Sequence, residues 1–244
     1  MKKRCNQLKK WVFLPSLLFL LFSCNKHPEN SPVIEKEFNL AGFNKIYAGE
    51  RFNLVITKSN DFHIKIKGPA GDVNDITMSV TNNILDIQYT PDEGLRSKVD
   101  LVITLPMLVQ LNLSGASNAT VNGFHNVTHV IRAVLSGAST CILNGTGINT
   151  QIDISGASGL YVIGSTKSLY GTISGAGKLN AYDLTATEVD ISASGRSEAR
   201  VKTIQSLFAE ASGGSCILYK GNPIIKNIQT SGGGRVIPKQ EISL

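Results

Sequence analysis

From Leu111 to Arg235 apolar and polar residues alternate in short runs, and the runs repeat. Each run is broken by a Ser-Gly pair. The glycines are Gly115, Gly137, Gly156, Gly175, Gly195, Gly213 and Gly232, in steps of 22, 19, 19, 20, 18 and 19 residues. Aligned on those glycines without gaps, the position two residues earlier holds Leu113, Leu135, Ile154, Ile173, Ala193, Ala211 and Thr230. The position four earlier holds Leu111, Ala133, Ile152, Gly171, Ile191, Ala209 and Ile228. Between these columns stand Asn112, Val134, Asp153, Thr172, Ser192, Glu210 and Gln229. A period of two predicts a strand with one buried face. Beyond the glycine the alternation resumes, with Ala119, Cys141, Leu160, Leu179, Ala199, Ile217 and Val236 in one inward column. Val121, Leu143, Val162, Ala181, Val201 and Tyr219 form another, broken at Pro238.

Each repeat therefore reads as strand, glycine corner, strand and short return. One such unit cannot bury its own apolar face, but stacked copies build a continuous core. The expected fold is all-β, a parallel β-helix or β-solenoid of about seven rungs of about 19 residues, roughly 30 Å long. Glycine suits the corner because it takes a left-handed or crowded backbone without penalty. The serine before it recurs in every copy (Ser114, Ser136, Ser155, Ser174, Ser194, Ser212 and Ser231). It reads either as a stripe of hydroxyls for binding or, more plainly, as a ladder satisfying corner backbone groups.

Residues 34–106 are strand-rich without sharing the repeat. Phe43–Tyr47 and Phe52–Ile56 flank Ala48-Gly49-Glu50-Arg51, which reads as a hairpin turn, and Asn82-Asn83 reads as a second. A solenoid needs its open end covered, and this segment is the expected cap, with 107–239 as the repeats. Together they make one elongated domain over 34–239, with no helix beyond a turn or two.

The beginning of the chain changes the picture of composition. Lys2, Lys3, Arg4, Lys9 and Lys10 precede an apolar run from Val12 to Phe22 interrupted only by Ser16, and Leu21-Phe22-Ser23-Cys24 follows. This pattern predicts a signal peptide over 1–23. Its ending resembles a bacterial lipobox, which implies acylation of Cys24 and membrane attachment through several chains. Residues 24–33 are polar and proline-bearing and are expected to be a flexible tether. The whole chain carries +6, but five of its 24 basic residues precede Cys24, leaving 19 against 18 acidic. That balance excludes a strongly basic nucleic-acid binder. Of the cysteines beyond Cys24, Cys141 falls in an inward column and Cys216 in an outward one, four rungs apart. No bridge is expected between them.

Several segments together resemble one family. They are the lipobox, Phe38-Asn39-Leu40, Phe43-Asn44-Lys45-Ile46, Leu85-Asp86-Ile87, Leu101-Val102-Ile103-Thr104-Leu105-Pro106 and the repeated Leu-Ser-Gly-Ala-Ser units. In this order they are similar to the head GIN domain family of auto-transporter adhesins, common in Bacteroidetes. The resemblance implies a β-helical fold and a cell-envelope location, and it carries no catalytic or ligand residues over. Up to Leu244 no series of ten-residue alternating strands suggests a transporter barrel, so export through a pore of its own is not expected.

Candidate chemistry is sparse. Asp153 and Asp190 share Asp-Ile-Ser contexts with Glu210 near the same face, the minimum for a glycosidase pair. The gapless alignment, however, puts Ser192 and not Asp190 in the column of Asp153, so all three read as a solvated strand face. His125 and His129 have the spacing of metal ligands on a helix, but they fall in a loop and read as surface residues. No catalytic residue, cofactor or metal is expected. Tyr161, Lys178, Tyr182, Arg196, Arg200 and Lys202 lie on outward positions of consecutive rungs and could contact a glycan or a protein; their plain alternative is a solvated face. The reading that follows is a non-catalytic, adhesin-like binding module, lipid-anchored at the outer membrane and facing the periplasm or the exterior. A periplasmic scaffold is the alternative, and a polysaccharide-active enzyme a remote one. One contiguous aromatic or charged stripe would favour binding; evenly mixed polar faces would favour the scaffold. Pro238 and Lys239 at the last strand discourage edge pairing, so a monomer is expected.

Overall fold

The computed structural model describes residues 31–90, 96–125, 128–145 and 147–239. The expected signal peptide, Cys24 and most of the tether lie outside these residues. The N-terminal part comprises β1 (Val33–Phe38), β2 (Lys45–Ala48), β3 (Phe52–Lys58), β4 (His63–Pro69), a short helix α1 (Ala70–Asp75), β5 (Ile76–Thr81), β6 (Ile84–Tyr89) and β7 (Val99–Leu105). The repeats supply β8 (Gln110–Leu113), β9 (Asn118–Asn122), β10 (Ile131–Leu135), β11 (Thr140–Asn144), β12 (Asn149–Ile154) and β13 (Gly159–Ile173). They continue with β14 (Lys178–Ala193), β15 (Glu198–Ala211), β16 (Cys216–Lys220), β17 (Ile225–Thr230) and β18 (Arg235–Pro238).

The repeats stack as a parallel β-solenoid of about six turns. Its first face runs β8, β10, β12, the later halves of β13, β14 and β15, then β17. Its second face runs β9, β11, the early halves of β13, β14 and β15, then β16 and β18. The returns form a third side, where the Ile148 N–H donates to His129 O and the Lys167 N–H to Ile148 O. The register reproduces the column of Leu113, Leu135, Ile154, Ile173, Ala193, Ala211 and Thr230. All but Thr230 of that column are buried. Burying each such aliphatic side chain contributes about 1.5–3 kcal/mol, which is what draws one turn onto the next.

The corner glycines have φ between 60 and 72°. They also sit too close together for a side chain: a Cβ on Gly156 would lie 2.4 Å from Gly137 O. That crowding exists because each corner hydrogen-bonds to the one before it, as where the Ala157 N–H donates to Gly137 O at 2.7 Å. The buried serine ladder is not the one preceding the glycine but the one two residues after it. Ser117, Ser139, Ser158, Ser197 and Ser215 are at most 2% exposed. The Ser215 hydroxyl donates to Ala193 O at 2.9 Å and the Ser117 hydroxyl to Gly49 O at 2.8 Å. The serines preceding the glycines are half-buried or exposed, and Ser136 and Ser155 bond backbone carbonyls of the preceding turn.

The N-terminal part departs from the sequence expectation. β2 and β3 do not form a hairpin; β2 pairs in parallel with β6 and β8, and β3 in parallel with β7 and β9. They are a turn of the solenoid, inserted ahead of the first repeat and stacked on the β6–β7 layer. Ala48-Gly49-Glu50-Arg51 is therefore another corner. Glu50 takes the glycine position with φ 63°, and the Ala116 N–H donates to its carbonyl at 2.5 Å. The hairpin at Asn82-Asn83 does form, with φ of 52 and 63° joining antiparallel β5 and β6, as a tight hairpin turn requires. On the other face β4 pairs antiparallel to β7, and β1 antiparallel to β4. Val33, the last residue of the expected tether, already pairs with Pro69. The helix α1 packs on β1 and β4 and buries Val73. Beneath it the Arg96 guanidinium, 3% exposed, lies 2.5 Å from Asp75 and 3.8 Å from the fully buried Asp72, and 4.8 Å from the Tyr89 ring centroid.

Candidate functional site

The outward columns of the second face come together as one surface. In register across the turns stand Asn118, Thr140, Gly159, Lys178, Glu198, Cys216 and Arg235. Two residues further along stand Thr120, Ile142, Tyr161, Asn180, Arg200, Leu218 and Ile237. Except in β18, their neighbours in sequence point inward and are buried, which fixes these as solvent-facing. A shallow groove of about 500 Å³ crosses this face, lined among others by Asn118, Thr120, Ile142, Tyr161, Lys178 and Arg200. Gly159 makes its floor. A Cβ there would meet nothing closer than a Thr140 methyl at 3.8 Å, so this glycine answers to no packing demand.

Of the residues singled out from sequence, Tyr161, Lys178, Tyr182, Arg200 and Lys202 share this second face or its margin. Arg196 lies at the exposed corner between the faces. The Tyr161 hydroxyl donates to Asp183, a bond that raises its pKa and holds the ring in place. Arg200 pairs with Glu198 at 2.6 Å. The ammonium of Lys220 lies 4.7 Å from the Tyr182 ring centroid, within reach of a cation–π contact. Lys220, Arg235, Ile142 and Gly159 were missed by sequence reasoning. Lys220 occupies the same offset from its corner glycine as Lys202, so the gapless alignment contained that signal. A missing side chain, by contrast, becomes a groove only once its neighbours are in place.

The first face is of opposite sign over the same turns. Glu188, Asp190 and Glu210 point outward there, with Tyr170 and Phe208 flanking Asp190 in register. Asp153 is held by Arg132 at 2.6 Å and accepts a hydrogen bond from Thr172. It stands in the column of Ser192 and Glu210, one column away from Asp190. His125 is exposed, and the His129 ring bonds Leu108 O at 2.8 Å. Among the described residues no group of three or more His, Cys, Asp or Glu could hold a metal ion. Cys141 is buried and Cys216 half-buried, and both are free thiols. Burial pushes the Cys141 pKa up to about 12. Among the described residues no helix is long and apolar enough to cross a membrane.

The fold has solved counterparts. A crystal structure of a "putative adhesin" from Bacteroides fragilis NCTC 9343 superposes with a TM-score of 0.77 at 23% identity, covering 85% of this chain and 97% of that one. A "putative adhesin" and a "putative lipid binding protein", both from Parabacteroides distasonis ATCC 8503, give TM-scores of 0.65 and 0.66 at 18% and 17% identity. Each covers 86% of this chain and 98% of its own. No curated protein matches the chain. The family described as "Putative auto-transporter adhesin, head GIN domain" matches residues 42–223. With that match spanning most of its length, and with the corner ladder and fold described above, the chain belongs to the head GIN domain family.

Proposed function

We propose that this protein is an adhesin-like binding protein of the cell envelope, non-catalytic and held at the outer membrane by lipid on Cys24. One observation carries the binding part: the second face gathers Tyr161, Lys178, Arg200, Lys220 and Arg235 on one contiguous surface. A spacer rod needs only evenly mixed polar faces, and a scaffold role would leave this segregation without a purpose. The adhesin descriptions of the family and of two solved counterparts agree with it. The non-catalytic reading rests on the carboxylates. Asp153 is committed to Arg132, and Asp190 stands in another column, so they do not converge on one reacting centre. The charge and apolar pattern ending at Cys24 supports the anchor.

The test is metabolic labelling with palmitate in the native host, followed by attachment of the cells to host-cell monolayers. The intact protein incorporates label and fractionates with the outer membrane. Cys24→Ala loses both label and membrane association, and a strain lacking the protein attaches less well. An unlabelled wild-type chain would refute the anchor, and undiminished attachment in the deletion strain would refute the adhesin-like role.

A further inference from the structure

We infer that the second face binds a neutral, ribbon-like polysaccharide lying along the rod axis over β7, β3, β9, β11 and β13; this rests on the binding reading above and names its ligand class. The second face continues past β9 onto β3 and β7, which pair in parallel in the same register. Its central outward column there runs Val102, Val55, Thr120, Ile142 and Tyr161. The column on the corner side holds Asp100, Asn53, Asn118, Thr140 and Gly159. The column on the return side holds Thr104, Thr57, Asn122, Asn144 and Ile163. Across all three columns only Asp100 carries a charge, and Asn53 donates to it at 2.7 Å. Charged groups begin at the borders. Lys65 and Lys67, both paired with Glu35, lie beyond β7; Lys58 and Asp61 lie at and past the end of β3; Lys178 and Asp183 lie on β14.

The fold does not impose this lack of charge. Over the same turns the first face places Lys45, Asp86, Arg132 and Asp153 outward. Further along the second face, Arg200 stands in the very column of Ile142 and Tyr161. A soluble surface carries charge at about a quarter to a third of its positions, so this region is depleted. It also leaves a contiguous apolar line open to solvent, with Val102, Val55 and Ile142 42, 39 and 45% exposed. Gly159 weakens its strand without relieving any close contact, and it widens the space beside Tyr161.

The shape of the region selects the ligand. Four strand steps of about 4.8 Å make it roughly 19 Å long, and two steps of about 6.7 Å between outward residues make it about 13 Å wide. An area on the order of 250 Å² falls well short of the roughly 800 Å² that each partner of a standard protein complex buries. It matches a few linked sugars. An equatorially linked pyranose chain is a ribbon with apolar C–H faces and hydroxyls along both edges. Laid on the central column, it turns one face to Val102, Val55, Ile142 and Tyr161 and its edges to the columns on either side. Asn53 and Asn118 on one side, with Asn122 and Asn144 on the other, carry both donors and acceptors for those hydroxyls. The Tyr161 ring, held by its bond to Asp183, ends the column as an aromatic platform. A uronate or sulfate would find no cation in the three columns and would lie beside Asp100. A bilayer would call for basic side chains that this region lacks.

The experiment uses the chain from Cys24 onward with Cys24→Ser, so that no acyl group interferes. Binding is measured to cellohexaose, mannohexaose and chitohexaose, and for comparison to glucose, heparin and vesicles of phosphatidylcholine with phosphatidylglycerol. At least one of the three neutral oligosaccharides binds, whereas glucose, heparin and vesicles do not. The affinity changes less than about twofold when added salt screens surface charge. Ile142→Glu sets a carboxylate in the middle of the apolar column, where Arg200 shows that the fold accepts a charge. It weakens binding by about tenfold or more, while the melting temperature holds within about 3 °C. Ile142→Phe keeps an apolar face and retains binding. Phe208→Glu, the same kind of change at a similarly exposed position of the first face, leaves binding intact.

Failure of all three neutral oligosaccharides to bind would overturn the inference. So would equal or stronger binding to heparin or vesicles, or sugar binding indifferent to Ile142→Glu. In the attachment assay, cells carrying Ile142→Glu attach as weakly as the deletion strain. Full attachment of that variant beside an impaired deletion strain would overturn the ligand assignment while leaving the adhesin-like role standing.

Discussion

The two ends of the solenoid solve the same problem differently. Both must stop a stack whose inward columns and strand edges invite another layer. At the N-terminal end the chain adds structure. β2 and β3 insert a turn out of sequence order, β1, β4 and β5 continue the sheets antiparallel, and α1 covers them. Phe43, Phe52 and Tyr89 are buried there, with Phe52 and Tyr89 stacked at 4.8 Å. Among the described residues at the C-terminal end, it is the residue types of the last strands that change instead. β17 is exposed throughout. Its inward positions are Lys226, Ile228 and Thr230, opposite Leu207, Ala209 and Ala211 of the turn before. An inward lysine on an edge strand discourages a further strand from pairing, and Pro238 on β18 withholds a donor. Burial is thus denser at the end next to the expected anchor than at β17 and β18.

The contrast breaks most visibly at Arg96. Arg96→Met leaves the buried Asp72 carboxylate without its cation and is expected to cost about 3–5 kcal/mol, read by urea unfolding. Apolar positions sharpen the same contrast. Ile66→Ala in β4, fully buried, is expected to cost about 2–5 kcal/mol, whereas Ile228→Ala at the open end, 42% exposed, should cost about 1 kcal/mol or less.

The middle of the rod behaves like its closed end. The Cys141 thiol, raised from 9.0 to about 12 by burial, stays protonated in the fold while the unfolded chain ionises. Its contribution to stability is complete below pH 9 and is lost as pH rises toward 12, by about 1.4 kcal/mol per unit. Cys141→Ala removes that part of the alkaline slope, measurable by comparing urea midpoints of the two proteins at pH 8 and pH 10.5. The smallest effect on stability belongs to Lys226→Val, within about 0.5 kcal/mol, yet it removes the inward charge. Light scattering should find the parent monomeric and the variant associating end to end.

How far the sequence could be read follows from the same contrast. The gapless alignment placed the inward columns beside the corners correctly because each glycine corner must hydrogen-bond to the one below, which fixes the register there; it shifts only further along, beyond Tyr161 and Ala181. Cys141 and Cys216 fell on the expected sides for the same reason. The turn formed by β2 and β3 was not legible, because Glu50 occupies the glycine position and the strands pair with partners remote in sequence. A local reading of Ala48-Gly49-Glu50-Arg51 naturally finds a hairpin. The candidate binding face was half legible. Tyr161, Lys178 and Arg200 showed through the repeat, but the opposing signs of the two faces and the Gly159 gap emerge only when outward columns are compared across neighbouring strands. The seven serines before the corner glycines drew attention by their regularity, whereas the buried ladder is the other set, interrupted in sequence by Gly177 and Gly234.

A binding face serves an adhesin-like role only if it is outside the cell. We would therefore place a cysteine at the exposed Asp190 in a Cys216→Ser background and treat intact cells with a membrane-impermeant maleimide. If Cys5 leaves with the signal peptide and Cys24 is acylated as proposed, and with Cys141 buried, the signal reports position 190; the parent carrying only Cys216→Ser gives the background. Labelling of intact cells, equal to that after the outer membrane is opened, is the result expected of a surface-displayed rod. Labelling only after the membrane is opened would contradict that account and assign the rod to the periplasm.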